Sequence, residues 1–164
     1  MDAIDPKTFW KAMGARPLGV PVVAARGSDG PAGLLALSVS HVTASPPSML
    51  VSVGHSTGAH AAIKASGAFA ISYLPEGAED VAEIFGGRRG LSGAARFDAS
   101  QWTSGATGSP IFAAGTAYFD CTISSIFTYE DTDIIVGRIE SFAADAAAAP
   151  LVTFGGGYRR LLPA

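Results

Sequence analysis

Residues 31–47 read Pro31-Ala32-Gly33-Leu34-Leu35-Ala36-Leu37-Ser38-Val39-Ser40-His41-Val42-Thr43-Ala44-Ser45-Pro46-Pro47, and they open a run, Pro31–Ile63, that contains no Asp, Glu, Lys or Arg. A run this free of charge belongs in a core, at a subunit interface or against a ligand. It does not belong in lipid. Its longest apolar run, Gly33–Leu37, falls far short of the roughly 20 residues of a spanning helix, and Pro46-Pro47 breaks the chain soon after it. Ser38, Ser40 and His41 are small polar groups in apolar surroundings, and apolar walls with a few polar groups are what a flat cofactor site requires.

Outward from this run the chain reads mostly as strands. On its N-terminal side, the β-branched Val20–Ala25 strand, the turn Gly27-Ser28-Asp29-Gly30 and a return strand Ala32–Val39 form a hairpin. Asp5-Pro6 followed by Thr8–Met13 predicts a short capped helix with Pro at its first position. On the C-terminal side come a strand Met49–Val53, a helix Ala59–Ala65 closed at Gly67, and a strand Ala68–Leu74. Glu76–Phe85 reads as an amphipathic helix whose acids Glu76, Glu79, Asp80 and Glu83 form a solvated face. Gly86–Pro110 reads as loop. Ala114–Phe127 and Asp133–Phe142 are long strands, and Pro150–Phe154 and Tyr158–Leu161 are short ones around three glycines. Strands without regular helix alternation predict a mainly β single domain over 1–164, a closed or nearly closed antiparallel barrel with peripheral helices.

Composition narrows the function classes. The 164 residues are 48% hydrophobic and only 15% charged, with a net charge of −3. That balance offers no electrostatic footprint for nucleic acid or anionic lipid. One cysteine, Cys121, excludes an internal disulfide framework and a Cys-based zinc site, and its place between Phe119 and Ile123 on an apolar strand face argues for a buried thiol. The three histidines, His41, His55 and His60, lack the H-E-x-x-H pattern of a metal set. Met1–Asp5 carries two acids and no apolar leader segment, so the cytoplasm is the expected location.

Gly54-His55-Ser56-Thr57-Gly58 matches G-x-S-x-G between a strand and a helix, the context of a hydrolase nucleophile elbow. In that fold the triad runs serine, acid, histidine, and no histidine follows His60, so Ser56 as a hydrolase nucleophile is a remote alternative. The same Ser56 and Thr57 hydroxyls, at a helix start, suit a phosphate. The plainer alternative is that one of them caps the helix.

Taken in order, several pieces resemble the flavin reductase-like family. These are Leu18-Gly-Val-Pro-Val-Val-Ala-Ala, Pro31-Ala-Gly-Leu, Leu37-Ser-Val-Ser-His-Val-Thr-Ala-Ser-Pro-Pro and Ser66-Gly-Ala-Phe-Ala-Ile-Ser-Tyr-Leu. Arg96-Phe97, Trp102, Gly108-Ser-Pro, Phe119-Asp-Cys, Ile134-Ile-Val-Gly and Pro150-Leu-Val-Thr-Phe-Gly-Gly-Gly-Tyr158 come after them in register. The resemblance implies a split β-barrel that binds FMN or FAD as a homodimer. It also implies reduction of the flavin by hydride from NADH or NADPH, with reduced flavin passing to a partner monooxygenase or another acceptor. It places Leu37, Ser38, Val39, Ser40 and His41 along the flavin ring, and Thr57, Ala59 and His60 at the flavin's phosphate, next to the Ser56 hydroxyl read above as suited to one.

Four positions depart from the family pattern. Leu37 replaces the first of two serines, Ala59 has lost a hydroxyl, Thr132 stands where Asp-His-Thr-Ile has its histidine, and Gly156 stands where the final G-x-Y has a charged residue. Those at Leu37, Ala59 and Thr132 leave open a flavin-binding protein of the same fold with little NAD(P)H activity. Arg88-Arg89 reads as a solvated loop face or, alternatively, a phosphate contact. Trp102, Phe112 and Tyr158 read as core or dimer-contact residues ahead of flavin stackers.

Overall fold

The computed structural model describes residues 4–161, so the start of the Met1–Asp5 segment lies outside the described residues. Helix α1, Pro6–Met13, forms as its sequence dictates. Asp5 accepts hydrogen bonds from the Thr8 amide and hydroxyl at 2.9 and 3.0 Å, and Pro6 occupies the first turn, where no amide hydrogen is needed. No residue of α1 is buried.

Strands β1 (Leu18–Gly19), β2 (Pro21–Gly27) and β3 (Gly30–Leu35) come next, with β2 and β3 paired around Ser28-Asp29 as the turn predicts. β3 ends at Leu35 and not at Val39. The chain turns at Leu37-Ser38 and doubles back as a hairpin of β4 (Ser40–Ala44) and β5 (Pro47–Gly54). The sequence hid β4 because all five of its residues are exposed, so no buried face imposes an apolar alternation.

Helix α2 (His60–Ser66) closes at Gly67 in the left-handed conformation, φ 67°, and leads into β6 (Ala68–Tyr73). Helix α3 spans Glu79–Phe85. The stretch expected to be loop contains a 3₁₀ turn at Gly93–Arg96 and the small ladder of β7 (Trp102–Ser104) with β8 (Pro110–Phe112). Strands β9 (Ala117–Tyr129) and β10 (Thr132–Ala144) form one long hairpin, and β11 (Val152–Phe154) and β12 (Gly157–Arg159) complete the order.

Seven strands make one antiparallel sheet in the order β3-β2-β6-β9-β10-β5-β4, while β1-β11-β12 form a second, smaller sheet. The ladder is not closed, because β3 and β4 remain its edges. The sheet is nevertheless rolled. Val23 and Ala25 of β2 share one core with Met49, Val51 and Val53 of β5, although three strands lie between them, and Ile63 of α2 joins the same core. The outer face of β2 packs a second core, in which Val20 and Val22 meet Leu74, Phe85 of α3, Phe112 and Leu151. Burial on both faces explains the unbroken apolar run of β2. No helix among the described residues is long and apolar enough to cross a membrane.

Candidate functional site

Where β3 gives way to the turn, the Leu34–Ser40 segment becomes one wall of a cavity of about 1130 Å³. Phe9, Trp10 and Met13 of α1, Glu83 and Arg88 around the end of α3, and Thr153 with Gly156–Tyr158 form the others. Ser38 holds the turn in place. Its hydroxyl donates to the Ser52 carbonyl at 3.0 Å and accepts from the Ser52 amide at 3.3 Å, a side-chain substitute for a ladder rung. The backbone N–H groups of Leu37 and Ser38 donate to no acceptor among the described residues. An apolar wall carrying uncommitted amide donors fits the polar edge of a flavin ring. The volume also exceeds the roughly 300–1,000 Å³ usual for one small ligand, which leaves room for a second flat molecule.

Ser52 links this wall to the next candidate segment, since β5 ends at Gly54 and the chain enters the His55–Ala59 loop. Helix α2 is capped by Ala59 without a side-chain bond, so neither hydroxyl acts as its cap. Ser56 and Thr57 make no side-chain hydrogen bond among the described residues, although Thr57 is only partly exposed. Ala59 is 1% exposed within the core and can offer a ligand nothing but backbone. None of these residues lines the larger cavity; the loop is joined to its wall through β5, whose Ser52 does.

His55 and His60 are not isolated. Both rings reach Asp133, Nε2 to Oδ1 at 3.1 Å and Nε2 to Oδ2 at 2.8 Å, while Lys64 Nζ donates at 3.0 Å and the Thr128 hydroxyl at 2.7 Å. Asp133 is fully buried, and these bonds, that of Thr128 foremost, hold its carboxyl well below the usual carboxylate range. The two imidazoles and the carboxylate have donor atoms within 4.8 Å of one another, a set that could ligate a cation. Lys64 already supplies that carboxylate with a positive charge, so the arrangement acts as a charged brace tying β10 to the loop and to α2. No hydrogen bond joins Ser56 to either histidine, and the elbow chemistry has no assembled nucleophile and base. Thr132 opens β10 directly after the Glu130-Asp131 turn, and its hydroxyl donates to Asp131 Oδ1 at 3.2 Å.

His41 faces a second, more open cavity of about 600 Å³, together with Val39, Ser40, Tyr73 and Phe119. Val39 and Ser40 line both cavities. The five residues expected along the ring are thus divided, with Leu37 and Ser38 on one side, His41 on the other and Val39 and Ser40 between.

The solvated-face reading of α3 is corrected at Glu83. Its Oε1 accepts from the Tyr158 hydroxyl at 2.9 Å and from Arg88 Nη1 at 2.5 Å. The bond from Tyr158, with Arg88 adding to it, lowers the Glu83 pKa, while burial and the nearby carboxylate push the Tyr158 phenol up to about 12. No local pattern signals this, because the partners come from the turn after α3 and from the far end of the chain. Of the arginine pair, Arg88 faces the cavity and Arg89 pairs with Asp80. Trp102 and Phe112 belong to an edge-packed aromatic cluster with Phe85 and Phe97, as a core reading requires.

A rolled antiparallel sheet enclosing an apolar cavity, with amide donors that have no partner among the described residues, places the chain among β-proteins with room for a flat ligand. The chain belongs to the family described as flavin reductase like domain, whose model matches residues 13–162. It is 33% identical to an FMN reductase (NADH) RutF of Enterobacter sp. (strain 638) over 162 residues, 99% of this chain and 98% of the relative. Among solved structures it resembles the NADH:FAD oxidoreductase of Streptomyces globisporus C-1027 with a TM-score of 0.86 and 30% identity, covering 100% of this chain and 94% of that one. That protein has also been solved with NAD and FAD fragments. The flavin reductase component of a bacterial two-component tryptophan halogenase, BorF, matches with a TM-score of 0.89 and 27% identity over 98% of this chain and 100% of that one.

Proposed function

We propose that this protein is a flavin reductase that binds FMN and reduces it with a nicotinamide dinucleotide, NADH ahead of NADPH, with FAD as an alternative flavin. The observation that carries this reading is the Leu34–Ser40 wall, charge-free and bearing Leu37 and Ser38 amides that are unpaired among the described residues, in a chain of the flavin reductase-like family. When bound, a flavin supplies the redox chemistry, acceptance of hydride from the reduced nicotinamide. The chain's own work is to bind and orient. Leu37 and Ser38 present amide donors to the ring, Val39 and Ser40 continue that surface, and Ser56, Thr57 and His60 serve the phosphate. Asp133 keeps the His60 ring turned toward the brace. No residue in the larger cavity is needed as a nucleophile, consistent with a wall that lacks Asp, Glu and Lys from Leu34 to Ser40.

The rolled sheet is read as the family's split β-barrel, in one domain over 1–164. Ile126, Phe127 and Tyr129 on β9 and Phe142 on β10 are large apolar side chains left exposed, and they are read as the contact surface of a cytoplasmic homodimer. Reduced flavin would serve a partner monooxygenase or halogenase, as the halogenase component's name suggests for that relative. Thr132 favours a second reading, a flavin-binding protein of the same fold with weak NAD(P)H activity. Anaerobic addition of NADH to the FMN-loaded protein separates the two, since rapid bleaching of the flavin requires the first and its persistence requires the second.

A further inference from the structure

Glu83 lies in α3 with its side chain 21% exposed at the wall of the larger cavity. Both of its donors, the Tyr158 hydroxyl and Arg88 Nη1, bond to Oε1. Oε2 accepts nothing among the described residues. The result is a carboxylate fixed from two sides with one oxygen spent and the other open. A ribose diol offers hydroxyl donors to such an oxygen, and an acidic side chain taking the ribose 2′-hydroxyl is a common way for a site to select NAD over NADP. A 2′-phosphate would instead bring negative charge against negative charge.

We propose that Glu83 is a specificity-determining residue, accepting from the ribose 2′-hydroxyl of the dinucleotide donor and repelling a 2′-phosphate, so that the site takes NADH and discriminates against NADPH. The proposal rests on the reductase reading above. Arg88 would suit a 2′-phosphate but is committed to Glu83. Arg16, exposed at the same cavity and in no ion pair among the described residues, is open to the diphosphate common to both dinucleotides and so does not discriminate. The Tyr158 hydroxyl, donating to the same Oε1, helps fix the carboxylate's rotamer.

The test uses the full chain loaded with FMN. Glu83→Gln keeps the size and an acceptor for Tyr158 while removing the charge and freeing Arg88. Wild type and variant are compared in anaerobic FMN bleaching by NADH and by NADPH, and in dissociation constants for NAD⁺ and NADP⁺ by calorimetry, which involves no turnover. The NADH-to-NADPH ratio of kcat/KM should fall about tenfold or more, chiefly through KM, and the ratio of dissociation constants should fall with it. Glu83→Asp should retain the preference. Arg88→Met should retain or sharpen it and, added to Glu83→Gln, should remove the gained NADPH affinity. Unchanged ratios in Glu83→Gln, lost preference in Arg88→Met, or a wild type that prefers NADPH would each overturn the assignment. Failure of the wild type to bleach with either dinucleotide would instead remove the reductase reading, and this proposal with it.

Discussion

A carboxylate with no exposed surface needs bonds on both oxygens, and Asp133 has them from Thr128, His55, His60 and Lys64. Because its folded pKa lies below the unfolded value, the stability it contributes is present above that unfolded value, about pH 4, and is lost as pH falls below it. Thermal unfolding followed from pH 7 to pH 3 should show this acid limb in the wild type. Asp133→Asn should melt lower at pH 7 and depend less steeply on pH below 5; parallel curves for the two proteins would remove Asp133 from that role. Thr57 makes a second test at this scale. Thr57→Ala should weaken FMN by about 1–3 kcal/mol, the worth of a charge-assisted hydrogen bond, and unchanged affinity in a titration would take Thr57 out of the site. Cys121 should stay silent toward a thiol reagent in the native state, because full burial, helped by nearby Asp120 and Glu140, pushes its thiol up to about 12. Rapid labelling without denaturant would contradict that.

Among the elements, the hairpin β9–β10 is the one whose geometry leaves least room. Its register shifts between Val136 and Gly137, and a Cβ on Gly137 would lie 2.6 Å from Phe69 Cζ and 2.7 Å from the Cys121 Cβ. Gly137→Ala should therefore cost about 1–3 kcal/mol, read as a lower midpoint in urea, whereas an unchanged midpoint would mean that the core gives way freely. Legibility in the sequence at this scale depends on burial. β2, β6 and the Gly67 cap announce themselves because apolar pattern and backbone chemistry agree. β4 does not, being exposed along its length, and the apolar pattern overextends β3 because Ser38 bonds the Ser52 backbone where a strand would have continued. The cavity wall is legible where it is local, in Leu37–Ser40. What is assembled from afar is illegible: Asp133 against two histidines, and Glu83 between Arg88 and Tyr158.

For the molecule as a whole, the rolled sheet places a continuous core inside and leaves Phe127, Tyr129 and Phe142 outside at 60%, 73% and 66% exposure. Such side chains are expected to meet a second copy, so sedimentation at micromolar concentration should give a dimer, and Phe127→Glu should shift it toward monomer. A monomeric wild type would remove the homodimer. The central claim, that the cavity holds a flavin and delivers hydride to it, is tested most directly by the absorbance spectrum during FMN titration followed by anaerobic NADH. Perturbed flavin bands on binding and rapid loss of the oxidised-flavin absorbance on addition of NADH are the expected result. Bands that never shift, or that shift and then persist in the presence of NADH and NADPH alike, would contradict it.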